Sequence, residues 1–108
     1  MSDFASAWAL SRKRFLDEIT GLSSAQLNWR LHPDALSIGE MAIHVAGVEV
    51  MFGSQLAGIA LDDQGQKIYR SATEGAVNDL PFPFTESEIT PEKVAQTLEY
   101  SRKLWEPI

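Results

Sequence analysis

The sequence has no cysteine at all. Disulfides, thiolate metal ligands and a cysteine nucleophile are therefore excluded, and a reducing, cytoplasmic setting is expected. Histidine is nearly as scarce: only His32 and His44 occur. Basic residues are outnumbered, nine Lys and Arg against fifteen Asp and Glu, which leaves a net charge of −6. Nucleic acid and anionic membrane, which need clustered cations, are not expected partners. The one dense basic run, Arg12-Lys13-Arg14, is followed at helical spacing by Asp17 and Glu18, so it reads as a solvated, self-paired helix face. No serine stands in a nucleophile motif, and there is no glycine-rich phosphate loop. The opening "MSDFASAWALSRKRF" has no sustained apolar core, so no signal peptide is expected. The weakly polar run 41–61 is broken by Glu49, Gln55 and several glycines, and reads as a buried helix rather than a membrane span.

Strand-like alternation is missing too, and what remains is helical. A chain of 108 residues with 44% hydrophobic content can bury one core, so 1–108 is read as a single domain. Residues 3–20 place Phe4, Trp8, Phe15 and Ile19 on one side, with Lys13–Asp17 and Arg14–Glu18 opposite, and Gly21 ends the helix. Ser23 and Gln26 have capping-box spacing, enough for one short helical turn. Pro33 pushes His32 into an extended loop. A second long helix starts at Ser37, with Glu40 closing a capping box and Leu36 and Met41 placed as a hydrophobic staple. Its stripe Met41, Val45, Val48, Phe52 is read as the core face. A third helix begins at Thr90-Pro91, Ile89 stapling onto Val94, and runs through Val94, Leu98, Ser101, Leu104 and Trp105.

Connection lengths constrain the topology. The short link between the first two long helices makes them antiparallel. The crossover 58–89, with a helical turn or two near Lys67–Thr73, is far longer than a hairpin needs. It lets the third helix run parallel to the second, as in an up-down-down-up bundle. Its apolar residues, Ile68, Tyr69, Leu80, Phe82 and Phe84, are expected to pack down, the rigid "PFPF" included. The fold class is all-α.

The segment "LSSAQLNWRLHPDALSIGEMAIHVAGVEVMF" resembles the DinB-like (YfiT-type) metalloprotein superfamily. The corresponding residues are Leu22, Leu27 and Trp29, then Ser37, Ile38 and Glu40, then His44 and Glu49. Helix order agrees along the whole chain, and the specific match covers 22–56. The resemblance implies an up-down-down-up four-helix bundle, often dimeric. It also implies a divalent ion such as nickel or zinc held by three histidines, with thiol-dependent transferases among its members. His44 matches the first metal histidine. The other two belong to a histidine pair on a fourth helix, and neither that helix nor such a pair is in this sequence.

His44 is thus the single metal-ligand position, set against a plain structural reading as a half-buried residue making one hydrogen bond. Glu40 is explained by its cap and by the helix dipole. Glu49, on an apolar part of the helical wheel, must be paired, raised in pKa or at the edge of a cavity, and of these an interhelical ion pair to Arg30 or Arg14 is expected. Trp8, Trp29 and Trp105 are read as core or interface aromatics. No catalytic residue can be named. Two functions follow: a DinB-like metal-dependent enzyme or thiol-dependent transferase acting on a small molecule or thiol, with an incomplete metal site; or a non-catalytic binding or oligomerisation module. A homodimer is expected. The side of the second helix bearing Ile43, Ala46, Gly47, Val50, Gly53 and Ala57 is small and apolar, so it is read as the dimer face.

Overall fold

A computed structural model describes residues 2–76 and 80–105; the side chains of Phe4 and Trp8 lie outside what it describes. The described chain is all-α: α1 (Ser2–Ile19), α2 (Ser24–Leu27), α3 (Ile38–Ala57), α4 (Asp63–Arg70) and α5 (Pro91–Trp105), with one 3-10 turn at Glu86–Glu88. Each boundary has a local cause. Gly21, at φ +89°, supplies the left-handed residue after α1. Both expected capping boxes form, Ser23 with Gln26 and Ser37 with Glu40. Gly58 closes α3 in a left-handed conformation. Asp62 caps α4 through the Gly65 amide, and Thr90 Oγ1 accepts from the Lys93 amide at the start of α5.

Helix directions follow from who meets whom. Gly39, at the start of α3, lies against Ile89 just ahead of α5. Glu49 in mid-α3 meets Ser101, and Gly53 lies under Leu104 and Trp105 at the far end of α5. α5 therefore runs parallel to α3. Ile19 shares a groove with Ile38 and Met41 at the start of α3, while Arg12 reaches Glu49, so α1 is antiparallel to both. α4, in the middle of the crossover, packs on α3 as well. The core gathers Leu27, Ile43, Val50, Ile68, Phe84, Ile89, Val94 and Leu98. Fully burying each such side chain contributes roughly 1.5–3 kcal/mol.

Four sequence expectations are corrected here. The core face of α3 is not the Met41–Phe52 stripe. Ala42, Ile43, Ala46, Gly47, Val50, Gly53 and Ser54 are buried, whereas Met41 and Phe52 are about half exposed (48% and 51%). Small residues decide this, because they let neighbouring helices come close: a Cβ at Gly47 would lie 2.5 Å from the Ile68 carbonyl oxygen. The small-residue side therefore packs against α4 and α5 within the chain, and cannot serve as the dimer face proposed from sequence. Arg12 is not part of a solvated basic face either; it is buried and paired with Glu49, while Lys13 stays exposed and pairs with Asp17 at 2.8 Å. Glu49 does form an interhelical ion pair, but with Arg12 rather than Arg30 or Arg14. Arg30 is bonded to Glu40 instead.

Candidate functional site

His44 sits half-buried on α3, one turn before Gly47–Val48. The backbone of α4 approaches so closely at Gly47 that the Ser71 carbonyl comes within 3.0 Å of His44 Nδ1. Ser71 is held in place by its own hydroxyl, which donates to the Ile43 carbonyl at 3.1 Å. A carbonyl oxygen only accepts, so Nδ1 carries the proton. In the neutral form of the ring Nε2 is then the unprotonated nitrogen, the arrangement in which a metal-ligating histidine is commonly held by a backbone carbonyl. His32 has the opposite arrangement. Its Nδ1 accepts from the Asp34 amide at 3.3 Å in the exposed loop before α3, which leaves the proton on Nε2.

The remaining carboxylates named from sequence do not converge on His44. Glu40 is buried and occupied by the Ser37 amide and Arg30. Glu49 is turned into the bundle, where Arg12 Nη1 donates at 2.9 Å and Ser101 Oγ at 2.7 Å. Among the described residues no group of three His, Cys, Asp or Glu side chains is placed to hold a metal ion. A catalytic zinc wants three protein ligands. The residues present therefore do not fit the three-ligand centre that the family resemblance implies.

The strongly shifted groups lie elsewhere and have structural explanations. Tyr100 is pushed up to about 12, chiefly by burial and then by the Asp62 carboxylate that accepts its hydroxyl at 2.9 Å. Asp62 is lowered in turn, first by the Gly65 amide it caps and then by Tyr100. The pair fastens the start of α4 to α5.

What does adjoin His44 is an open apolar surface. On the side of α3 opposite its buried residues, Met41 and Phe52 are exposed, Val45 and Val48 between them are half-buried, and Leu56 continues the line at 70% exposure. At the Met41 end this strip joins a groove of about 210 Å³ lined by Phe15, Ile19, Trp29, Leu31, Leu36 and Ile38 among others. Trp29 and Leu31 are themselves exposed, so Trp29 is not a core aromatic. Trp105, by contrast, is half-buried and donates its Nε1 hydrogen to the Glu49 carbonyl at 2.7 Å. The orienting carbonyl of Ser71, the close approach at Gly47 and the burial of Arg12 were missed from the sequence. Of these only Gly47 left a signal there, as a glycine in mid-helix, which costs stability unless a neighbour needs the space. No helix among the described residues is long and apolar enough to cross a membrane. Comparison with protein-family models, curated proteins and solved structures finds no match to this chain.

Proposed function

We propose that this chain is a helical interaction module of the DinB-like bundle type, and that its working surface is the outward face of α3, onto which another helix docks. One observation carries the reading: Met41, Phe52 and Leu56 stand 48–70% exposed along one line of α3, with Val45 and Val48 half-buried between them, while the opposite side of the helix is packed. A helix that only met water there would show polar residues. Parallel α3 and α5 joined by a long crossover agree with the up-down-down-up order of that bundle type, and no catalytic step is needed.

The test separates a docking face from a badly packed core. Val48→Lys and Phe52→Glu should leave the melting temperature unchanged, within about 2 °C, at a dilution where it no longer depends on protein concentration. A fall of about 5 °C or more in both would show that the stripe belongs to the chain's own core, and the reading would fail.

A second reading, a metal-dependent enzyme or thiol-dependent transferase, is favoured by the carbonyl-anchored ring of His44. Here His44 supplies one ligand to a divalent ion, nickel or zinc, and water, a carboxylate or a neighbouring chain supplies the others. The expected result is no tightly held ion after dialysis, and weak zinc binding at His44 Nε2 seen in the ring nitrogen resonances, with His32 as the internal control. One nickel or zinc retained per chain and lost in His44→Ala would put this reading first.

A further inference from the structure

We infer that the surface beneath α1 is a docking site of its own, with α1 as its resident helix. A helix of another protein displaces α1 when it carries an arginine followed by bulky apolar side chains, at the spacing of Arg12, Phe15, Leu16 and Ile19. The site meets the outward face of α3 only at Met41 and does not rest on the reading of that face.

α1 is the least embedded of the long helices. Among its described side chains only Arg12 is buried, whereas α3 buries nine residues and α5 four. Phe15, Leu16 and Ile19 reach the core but stay half-buried. Two apolar grooves, of about 220 and 210 Å³, run down either side of Ile19. One lies against Leu27, Val94 and Leu98, the other against Trp29, Leu36 and Ile38. α1 therefore fills its seat on neither side. Elements with few buried apolar contacts open locally, at less cost than global unfolding.

The seat itself is built for a cation. Arg12 Nη1 donates to Glu49 at 2.9 Å, and its Nη2 donates to the Leu98 carbonyl. Ser101 Oγ also donates to Glu49, at 2.7 Å, and Ser101 belongs to α5. The carboxylate thus keeps an anchor when α1 lifts, and stays placed for the planar fork of an incoming guanidinium. α1 holds as many cations as carboxylates, Arg12, Lys13 and Arg14 against Asp3, Asp17 and Glu18, so the net charge of −6 belongs to the rest of the chain. That body draws a basic helix to the seat and repels an acidic one.

The occupant is not the α1 of a second copy. The short link 20–23 keeps each chain's own α1 at an effective concentration on the order of millimolar. An identical helix from another molecule makes the same contacts without that advantage. A displacing helix must fit better, and the grooves show where. Leu16 lines one of them and Ile19 lines both, so larger apolar side chains at these two positions fill the space that α1 leaves. Unfilled space beside an apolar side chain forfeits contacts that a larger one regains.

Two measurements on the full chain test this. In native-state hydrogen exchange, α1 amides should exchange through an opening that low urea barely affects, while α3 and α5 follow global unfolding. The second probe is a labelled synthetic peptide of residues 2–20 carrying Leu16→Phe and Ile19→Trp, followed by fluorescence anisotropy. It should bind the full chain roughly tenfold tighter than the unaltered peptide, and Arg12→Ala in the peptide should cost roughly tenfold or more. Arg12→Ala in the chain loosens the resident helix and should tighten binding by a similar factor; if that variant does not fold, the parent chain decides alone. Exchange of α1 in step with α3 and α5 overturns the inference, as does no binding, or binding indifferent to the peptide's arginine. An unaltered peptide that binds as tightly as the bulky one overturns it too, since a second copy would then be the occupant.

Discussion

The guanidinium of Arg12 and the carboxylate of Glu49 meet at 2.9 Å where α1, α3 and α5 converge, with side chains only 8% and 15% exposed. Arg12 also donates to the Leu98 carbonyl of α5, and Glu49 accepts the Ser101 hydroxyl. One charged pair therefore ties three helices. Buried pairs contribute little over an apolar replacement, but half of one is costly. Arg12→Ala or Glu49→Ala should each lose about 3–5 kcal/mol in urea denaturation, while Arg12→Met with Glu49→Leu should recover most of it. Single variants within about 1 kcal/mol of the parent would mean that the pair is solvated and carries little.

At the start of α3, Ser37 Oγ accepts from the Glu40 amide at 3.1 Å, and Glu40 Oε1 accepts from the Ser37 amide at 2.8 Å. Ser37→Ala should cost about 1 kcal/mol. Glu40→Ala should cost more, since it also strips Arg30 of its carboxylate. Denaturation midpoints unchanged in both variants would refute this account of the cap.

Gly47→Ala should be one of the more damaging single-methyl additions in the chain. The new Cβ would press on the α4 backbone, at 2.5 Å from Ile68 O and 2.8 Å from the Ala72 nitrogen. Overpacking of this kind costs about 1–3 kcal/mol. It should also disturb the His44–Ser71 bond, visible as a shift in the His44 ring resonances. A variant as stable as the parent with an unchanged His44 signal would show that α4 can move aside.

Acid should loosen the crossover. Glu88 is lowered from 4.5 to about 2, first by Lys67, whose Nζ is 2.6 Å away, and then by the Thr85 amide. A folded-state value below the unfolded one means the carboxylate stabilises fully above about pH 4.5 and loses that contribution as pH falls towards 2. Both partners are about one-third exposed, so the amount is under about 1 kcal/mol. Lys67→Met should flatten the fall of melting temperature between these pH values; an identical acid limb would show the pair to be inert.

Helix ends were legible in the sequence because each is written in a few neighbouring residues: Ser37 with Glu40, Ser23 with Gln26, Gly21, Thr90 before Pro91. The parallel run of α3 and α5 was legible from the length of the connection. The orientation of α3 about its own axis was not. Its Met41 and Ile43 sides are both apolar, and hydrophobicity alone ranked the bulky side inward. Close approach chose the other, through Gly39, Gly47 and Gly53, and that depends on elements distant in sequence such as Ile89, Ile68 and Trp105. Arg12 misled for a similar reason. Its local neighbours Asp17 and Glu18 suggested a surface, and its real partner lies thirty-seven residues away. At the candidate site His44 was legible, and the Ser71 carbonyl that orients it was not, because a backbone acceptor leaves no mark in residue identity.

The placement of α4 has a kinetic consequence. The Glu49–Ser101 bond joins residues fifty-two apart, and closing so long a segment in one step is entropically unfavourable and slow. α4 divides that search. It can dock on α3 first, across the short segment 58–62, through the Gly47 contact and the Ser71–Ile43 bond. Tyr100 then finds Asp62 already in place at the head of α4, and Lys67 holds Glu88 just ahead of α5. The crossover thus shortens the search as well as connecting: α3 with α4 offers α5 a surface on which Asp62 and Lys67 already stand in place.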